Sequence, residues 1–224
     1  MTDRAAEDSG IKVGSLPTVI PLFPLAGALL LPRTHLPLNI FEPRYLAMTR
    51  DALAGDRVIG MIQPRDPRGN EPEPALYETG CLGRIVEHQD TSDGRILITL
   101  AGLARFEIVE ELARTTPYRK ALVSYDRFAA DGASGAVLPD RLRSRFEEVL
   151  RAFLAGRGLA ADWNALKAAP DDRLIDAMAV ICPLEAGEKQ ALLEAPDLTA
   201  RCETMINLME FWLRTQGGSP ARPH

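Results

Sequence analysis

Ser134, in Gly132-Ala133-Ser134-Gly135, comes nearest in this chain to a catalytic nucleophile on a tight turn. A nucleophile elbow reads Gly-x-Ser-x-Gly because both glycines let the strand-to-helix turn close around the serine. That pattern is not met, and the segment lies in an alanine- and glycine-rich stretch between two differently patterned halves, so Ser134 is read as a linker residue. A serine-lysine pair would need a desolvated lysine. The lysines are Lys12, Lys120, Lys167 and Lys189, and the last two fall on predicted helices where a solvated amine is the expectation. His35 and His88 lie in separate strand-like segments and His224 is the final residue, which disfavours a shared metal site or acid-base pair. Glu110-Glu111 and Glu147-Glu148 are adjacent in sequence, so each pair points in diverging directions and reads as solvated surface. Cys81, Cys182 and Cys202 are odd in number and form no Cys-x-x-Cys unit, which argues against a disulfide framework or a zinc site. Cys81 reads as a small buried hydrophobe. No glycine is followed by lysine, so the phosphate cradle of a P-loop is absent. No catalytic residue, metal or cofactor is expected.

The elements that carry these residues come in two kinds. Prolines 21, 24, 32 and 37 punctuate an apolar run from Val19 to Ile40, which restricts strands there to edges, bulges or short pieces around a barrel-like core. Glu42-Pro43 then starts a helix, with Tyr45, Met48 and Leu53 at helical spacing up to Gly55. Val58 to Ile62 is a buried-strand candidate, and Pro64 to Pro74 a long exposed loop. Cys81 to Gln89 and Arg95 to Leu100 flank Asp93-Gly94, which can supply the positive φ of a hairpin turn. Gly102 is expected to break the second strand, with alternation resuming through Ala104, Phe106 and Ile108; Tyr118 to Tyr125 gives one more strand. From Pro139 the period is helical: Leu142, Phe146, Val149, Leu150 and Phe153 share a face that stops at Gly156 and Gly158. Four further helices are expected: a short one beginning at Asp162-Trp163, one capped by Asp171 or Asp172, one from Glu185 to Glu194, and one capped by Asp197. The organisation read from this is a flexible arm at 1–16, a β-rich subdomain at 17–127, a linker at 128–138, a helical subdomain at 139–215 and a flexible tail at 216–224.

Composition sets the broad class. The 224 residues are 46% apolar, with Lys+Arg 26 against Asp+Glu 31 and a formal charge of −5. That excludes disorder and any global basic field for nucleic acid or an anionic membrane. The arginine-over-lysine bias most simply reflects a high-GC coding sequence. No apolar run approaches the ~20 residues that span a bilayer, and the polar start Met1-Thr2-Asp3-Arg4 is not followed by a signal-peptide core. A cytoplasmic protein is expected.

Four motifs in order resemble one family. Ile20-Pro21-Leu22-Phe23-Pro24-Leu25 with Ile40-Phe41-Glu42-Pro43-Arg44-Tyr45, then Tyr77 to Ile85, then Asp93 to Phe106, are similar to the N-terminal substrate-binding domain of Lon proteases. Glu188-Lys189-Gln190-Ala191-Leu192-Leu193-Glu194-Ala195-Pro196 resembles the helix-bundle signature of short, free-standing bacterial members. The resemblance covers about residues 18 to 214. It implies an α+β fold, a PUA-like β pseudobarrel followed by an α-helical bundle, and a non-catalytic module that binds unfolded or apolar-exposed polypeptides in protein quality control, with a protease or chaperone as a further partner. The ATPase and serine-lysine peptidase modules of full-length Lon are not found. Carried over, the family positions are Pro24, Leu25, Ile40, Phe41, Glu42, Pro43, Arg44, Tyr45, Gly80, Arg84, Gly94, Gly102, Arg105 and Phe106. Glycines 80, 94 and 102 suit turns or bulges, Phe41 and Phe106 suit core, and Arg44, Arg84 and Arg105 are read as scaffold charges paired with Glu42 or other carboxylates. The alternative, a PUA-like RNA-binding protein, is opposed by the acidic balance and scarce lysine. A hydrolase would need a serine or cysteine within reach of a base.

Overall fold

The computed structural model describes residues 15–69, 71, 73–133 and 135–216. The expected arm and tail, and Ser134, fall outside these residues except for 15, 16 and 216. The elements run β1 (Val19–Pro24), β2 (His35–Ile40), α1 (Pro43–Ala54), β3 (Val58–Ile62), β4 (Thr79–Asp90), β5 (Ile96–Glu111), β6 (Lys120–Ser124), a 3-10 segment (Asp126–Gly132), α2 (Asp140–Gly156), α3 (Trp163–Ala168), α4 (Asp171–Ile181), α5 (Ala186–Glu194) and α6 (Leu198–Gln216). No helix among the described residues is long and apolar enough to cross a membrane.

The strands form one six-stranded sheet in the order β2-β5-β4-β3-β1-β6, with β6 also pairing back to β5. The sheet curls and is not a regular closed barrel. Its inner face buries Ile20, Leu22, Ile59, Leu82, Leu100 and Phe106. Proline placement follows hydrogen-bond geometry: Pro37 sits on β2, the terminal strand, where a missing donor is tolerated. Pro43 opens α1, where its fixed φ suits the first turn and its absent N–H costs nothing.

β5 continues through Gly102 as one strand, and the expected interruption is a shift of register against β4, where Leu82 pairs with Ala104 and Gly83 with Gly102 so that Leu103 is bulged out. The glycine also serves a close approach. A Cβ there would lie 2.0 Å from the Leu31 carbonyl oxygen, and the Gly102 N–H donates to Thr34 O at 2.9 Å while Gly102 O accepts from Arg33 N at 2.8 Å. Gly94 is different: it takes φ +83° in the β4–β5 turn with open space around its α-carbon.

The chain divides into two compact units. Among the described residues, one comprises 15–23, Leu31–Ile62 and Glu78–Ala133; the other comprises Pro24–Leu30, Gln63–Tyr77 and 135–216. The stretch 128–133, read as linker, is therefore part of the sheet unit: Phe128 is buried within the 3-10 segment. In the helical unit, Phe146, Leu150, Phe153, Ile175, Leu192 and Met205 form the core. Asp162 caps α3 through Asn164 N and Ala165 N, Glu185 and Glu188 close a capping box on α5, and Asp197 accepts from Ala200 N. Asp171 and Asp172 do not cap α4, whose N-cap is Pro170; their carboxylates accept from Leu138 N at 2.8 Å and Gly135 N at 3.1 Å. These two donors lie in an irregular segment that would otherwise leave them unpaired.

The two glycines give a paired prediction. Gly94→Ala should cost about 1 kcal/mol, the penalty of a left-handed residue in free space. Gly102→Ala should cost about 3 kcal/mol, because backbone must move to admit the methyl. Urea unfolding of both variants checks this; equal losses would contradict the close-approach assignment.

Candidate functional site

Arg105 lies inside β5 with its side chain 4% exposed, against Asp131 at 7%. Its Nε donates to Asp131 Oδ2 at 2.9 Å and its Nη2 to Oδ1 at 2.7 Å, while its backbone N–H donates to Oδ2 at 2.9 Å. The guanidinium also stacks 4.1 Å from the Phe128 ring centroid. Arg33, at φ +65°, reaches the same segment and donates to Asp131 O at 3.2 Å and Ala133 O at 2.7 Å. This arginine pair is a structural knot with little surface to offer a ligand.

The start of α1 differs. Arg44 pairs with Glu42 at 2.9 Å, the side chains 37% and 43% exposed, and stacks 4.5 Å from the Tyr45 ring. Tyr45 is buried against Phe23 with centroids 4.3 Å apart. Burial raises its pKa, with Arg44 opposing. Tyr118 anchors the last turn of α1 by donating to Asp51 Oδ2 at 2.7 Å, and burial together with that bond pushes its phenol up to about 12. Phe41, expected in the core, is 61% exposed and lies 5.9 Å from the Arg95 guanidinium. The reason is parity: Ile40 ends β2 facing inward, so Phe41 continues the outward set of His35, Pro37 and Asn39.

That outward set is one edge of a shallow groove of about 570 Å³ on the face of β2, β5 and β4. Strand register aligns it in rows, Pro37 with Thr99 and Glu87, then Asn39 with Leu97 and Gln89. His88 also lines it. Leu97 is 41% exposed and Val86, at the β4 bulge, 46%. Thr99 Oγ1 donates to Glu87 Oε2 at 3.0 Å across the floor. At the hairpin end Arg95 pairs with Asp93 at 3.0 Å, so the basic groups beside Phe41, Arg44 and Arg95, each have a carboxylate at hand.

The remaining family positions lie away from this groove's lining. Gly80 admits the Phe106 ring, which a Cβ would meet at 2.4 Å, and Phe106 is fully buried. Arg84 is exposed on β4 and pairs with no carboxylate among the described residues, so the expected ion pair is not formed. Pro24, the last residue of β1, and Leu25 belong to the stretch Pro24–Leu30 that groups with the helical unit. There Gln63, 1% exposed, accepts from Gly27 N at 3.0 Å and donates to Ala186 O at 3.0 Å and Gln190 Oε1 at 3.2 Å. Lys189, expected in solvent, is half-buried and donates to Gly27 O at 2.9 Å, and burial holds its pKa below the usual lysine value. A second buried pair, Arg201 with Asp176 at 2.7 Å, ties α6 to α4. Asp131, Gln63 and Asp176 were missed by sequence reading, since each is matched to a partner far along the chain.

Among the described residues, the cysteines are not activated as nucleophiles. Cys81 is buried, its Sγ directed at Leu82 O at 3.7 Å. Burial pushes Cys182 up to about 11 and Cys202 up to about 12, the opposite of activation. Ser144 and Lys167 line one groove of about 440 Å³ with Glu147, Glu148 and Arg151. Both are exposed, and no hydrogen bond joins them among the described residues.

A model of the ATP-dependent protease La (LON) substrate-binding domain matches residues 19–210. Lon protease 2 of Myxococcus xanthus is 30% identical over 202 residues, 89% of this chain and 24% of that protein. Lon protease of Anaeromyxobacter dehalogenans is 28% identical over the same shares. The chain thus spans about a quarter of the length of the curated relatives it matches. Among solved structures, a Lon N-terminal domain protein from Xanthomonas campestris aligns with TM-score 0.62 and 24% identity, covering 85% of this chain and 98% of that one. The N-terminal domain of a Mycobacterium avium complex Lon protease aligns with TM-score 0.62 and 17% identity, covering 86% and 98%.

The two motif arginines are expected to separate in stability. Arg105→Ala strands a buried carboxylate and should cost about 3–5 kcal/mol. Arg44→Ala removes a half-exposed pair and a cation–π contact and should cost no more than about 1 kcal/mol. Chemical denaturation distinguishes them; a loss at Arg44 as large as at Arg105 would contradict the burial difference.

Proposed function

The chain belongs to the ATP-dependent protease La (LON) substrate-binding domain family, and from that premise we propose that it is a non-catalytic module that holds apolar segments of unfolded polypeptides for protein quality control in the cytoplasm. A protease or chaperone is the partner that would receive them. The binding surface is the outward face of β2, β5 and β4. The observation that carries this is the run of apolar side chains left in solvent there, Phe41, Leu97 and Val86, around the Pro37–Thr99 groove. Exposed apolar groups rimmed by polar ones mark contact surfaces. A volume in the few-hundred Å³ range accepts one or two client side chains, and Glu87, Gln89, Asn39 and Thr99 supply polar groups for the client backbone.

Electrostatics favour a polypeptide over RNA. Arg95 and Arg44 are matched by Asp93 and Glu42, so the basic groups beside Phe41 offer a phosphate backbone little net charge. Clients would be selected by apolar content.

Phe41→Asp and Leu97→Asp should each weaken binding of a fluorescent, permanently unfolded casein by about tenfold, the scale of one interface hot spot. Melting temperatures should stay near wild type because both side chains are exposed. Val109→Asp, at an exposed apolar position outside the groove, is the control and should bind normally. Unchanged binding in both face variants, or equal loss in the control, would overturn the placement.

A further inference from the structure

We infer that Pro37 keeps the open edge of the sheet from pairing with the β2 strand of a second copy of this chain. β2 is the terminal strand of the sheet and has β5 as its one partner among the described residues. Unpaired edges template strand addition, so a sheet that stays discrete must blunt them.

The register determines which β2 groups face the open side. Gly102 N–H donates to Thr34 O, which makes 34 and 102 a hydrogen-bonded pair. The register continues without a shift through His35 with Ala101, Leu36 with Leu100, Pro37 with Thr99 and Leu38 with Ile98. Hydrogen-bonded and non-hydrogen-bonded pairs alternate in an antiparallel ladder, so Leu36, Leu38 and Ile40 spend their backbone groups on β5. His35, Pro37 and Asn39 direct theirs to the free edge, and all three residues are exposed.

A two-fold symmetric partner would lie antiparallel, pairing His35 with the second copy's Asn39 on both sides and placing Pro37 against itself at the centre. Those central residues should exchange two N–H to O=C bonds. Proline has neither hydrogen to give, and its ring carbons occupy the positions where the donors would stand. The ladder is therefore interrupted on its symmetry axis, and the two outer pairs are left without a continuous strand between them. A single residue blunts the edge while leaving the β5 pairing intact, because its absent N–H points away from β5. The inference does not depend on what the groove face binds.

Pro37→Val restores a donor and a strand-favouring side chain at an exposed position. Its mass by sedimentation velocity should rise with concentration toward twice the wild-type value, while that of wild type stays constant. Adding Asn39→Pro to the same variant re-blunts the edge and should return the mass to the wild-type value. A Pro37→Val protein that folds, by circular dichroism, and shows no added association would overturn the inference. Amide hydrogen exchange on the wild type is an independent test that needs no variant. Leu36, Leu38 and Ile40 should be protected while His35 and Asn39 exchange freely, and protection of His35 and Asn39 would show an occupied edge and overturn the inference.

Discussion

A guanidinium and a carboxylate that have both lost their water tolerate no partial arrangement, and the Arg105–Asp131 pair imposes that constraint on the sheet unit. To satisfy it, the chain after β6 must return as a 3-10 segment and deliver Asp131 to the middle of β5, with Phe128 under the guanidinium. Arg33 binds the carbonyls of the same segment, and its neighbour Leu31 lies against Gly102 three residues before Arg105 on β5. Three sequence-distant pieces thus meet at one point, and the register between them is specified by charge and shape together. The outward face of β2, β5 and β4 is what remains free of such obligations.

The helical unit has a corresponding knot of neutral amides. Gln63 uses both amide hydrogens and its amide oxygen on Ala186, Gln190 and Gly27, and Gln190 passes one bond to Glu194 at 2.7 Å. Each of these groups would be costly to bury alone. The network explains why two loops between β-strands, Pro24–Leu30 and Gln63–Tyr77, fold with helices that lie more than a hundred residues further on. It also gives Lys189 a structural task, ligating Gly27 O, where a catalytic lysine would need a nucleophile.

Local signals made much of the fold readable. The Glu42-Pro43 helix start, the Asp93-Gly94 turn, the Val58–Ile62 strand and the helix starts at Asp162-Trp163 and Glu185 each depend on a few neighbouring residues, and each appears where the sequence places it. Long-range demands were not readable. Gly102 looked like a strand breaker because nothing near it in sequence announces that Leu31 backbone will pass 2.0 Å from its missing Cβ. The stretch from 128 to 133 looked like linker because small residues surround Asp131, whose partner is 26 residues away. Phe41 looked like core by type alone; only the alternation of β2, fixed by pairing with β5, turns it outward. For the candidate surface, family motif and exposed face overlap at Phe41, while Leu97 and Val86 carry no motif signal and emerge from strand register and the β4 bulge.

In the proposal made above the scaffold centres on Arg105 and the recognition face on Leu97. Amide and methyl NMR of the isotope-labelled protein titrated with an apolar unfolded peptide reads both at once. Shift changes should concentrate on Pro37 to Phe41, Glu87 to Gln89 and Arg95 to Thr99, leaving Arg105, Phe128 and Asp131 unmoved. Changes centred on Arg105 and Asp131, or confined to the helical unit, would contradict it.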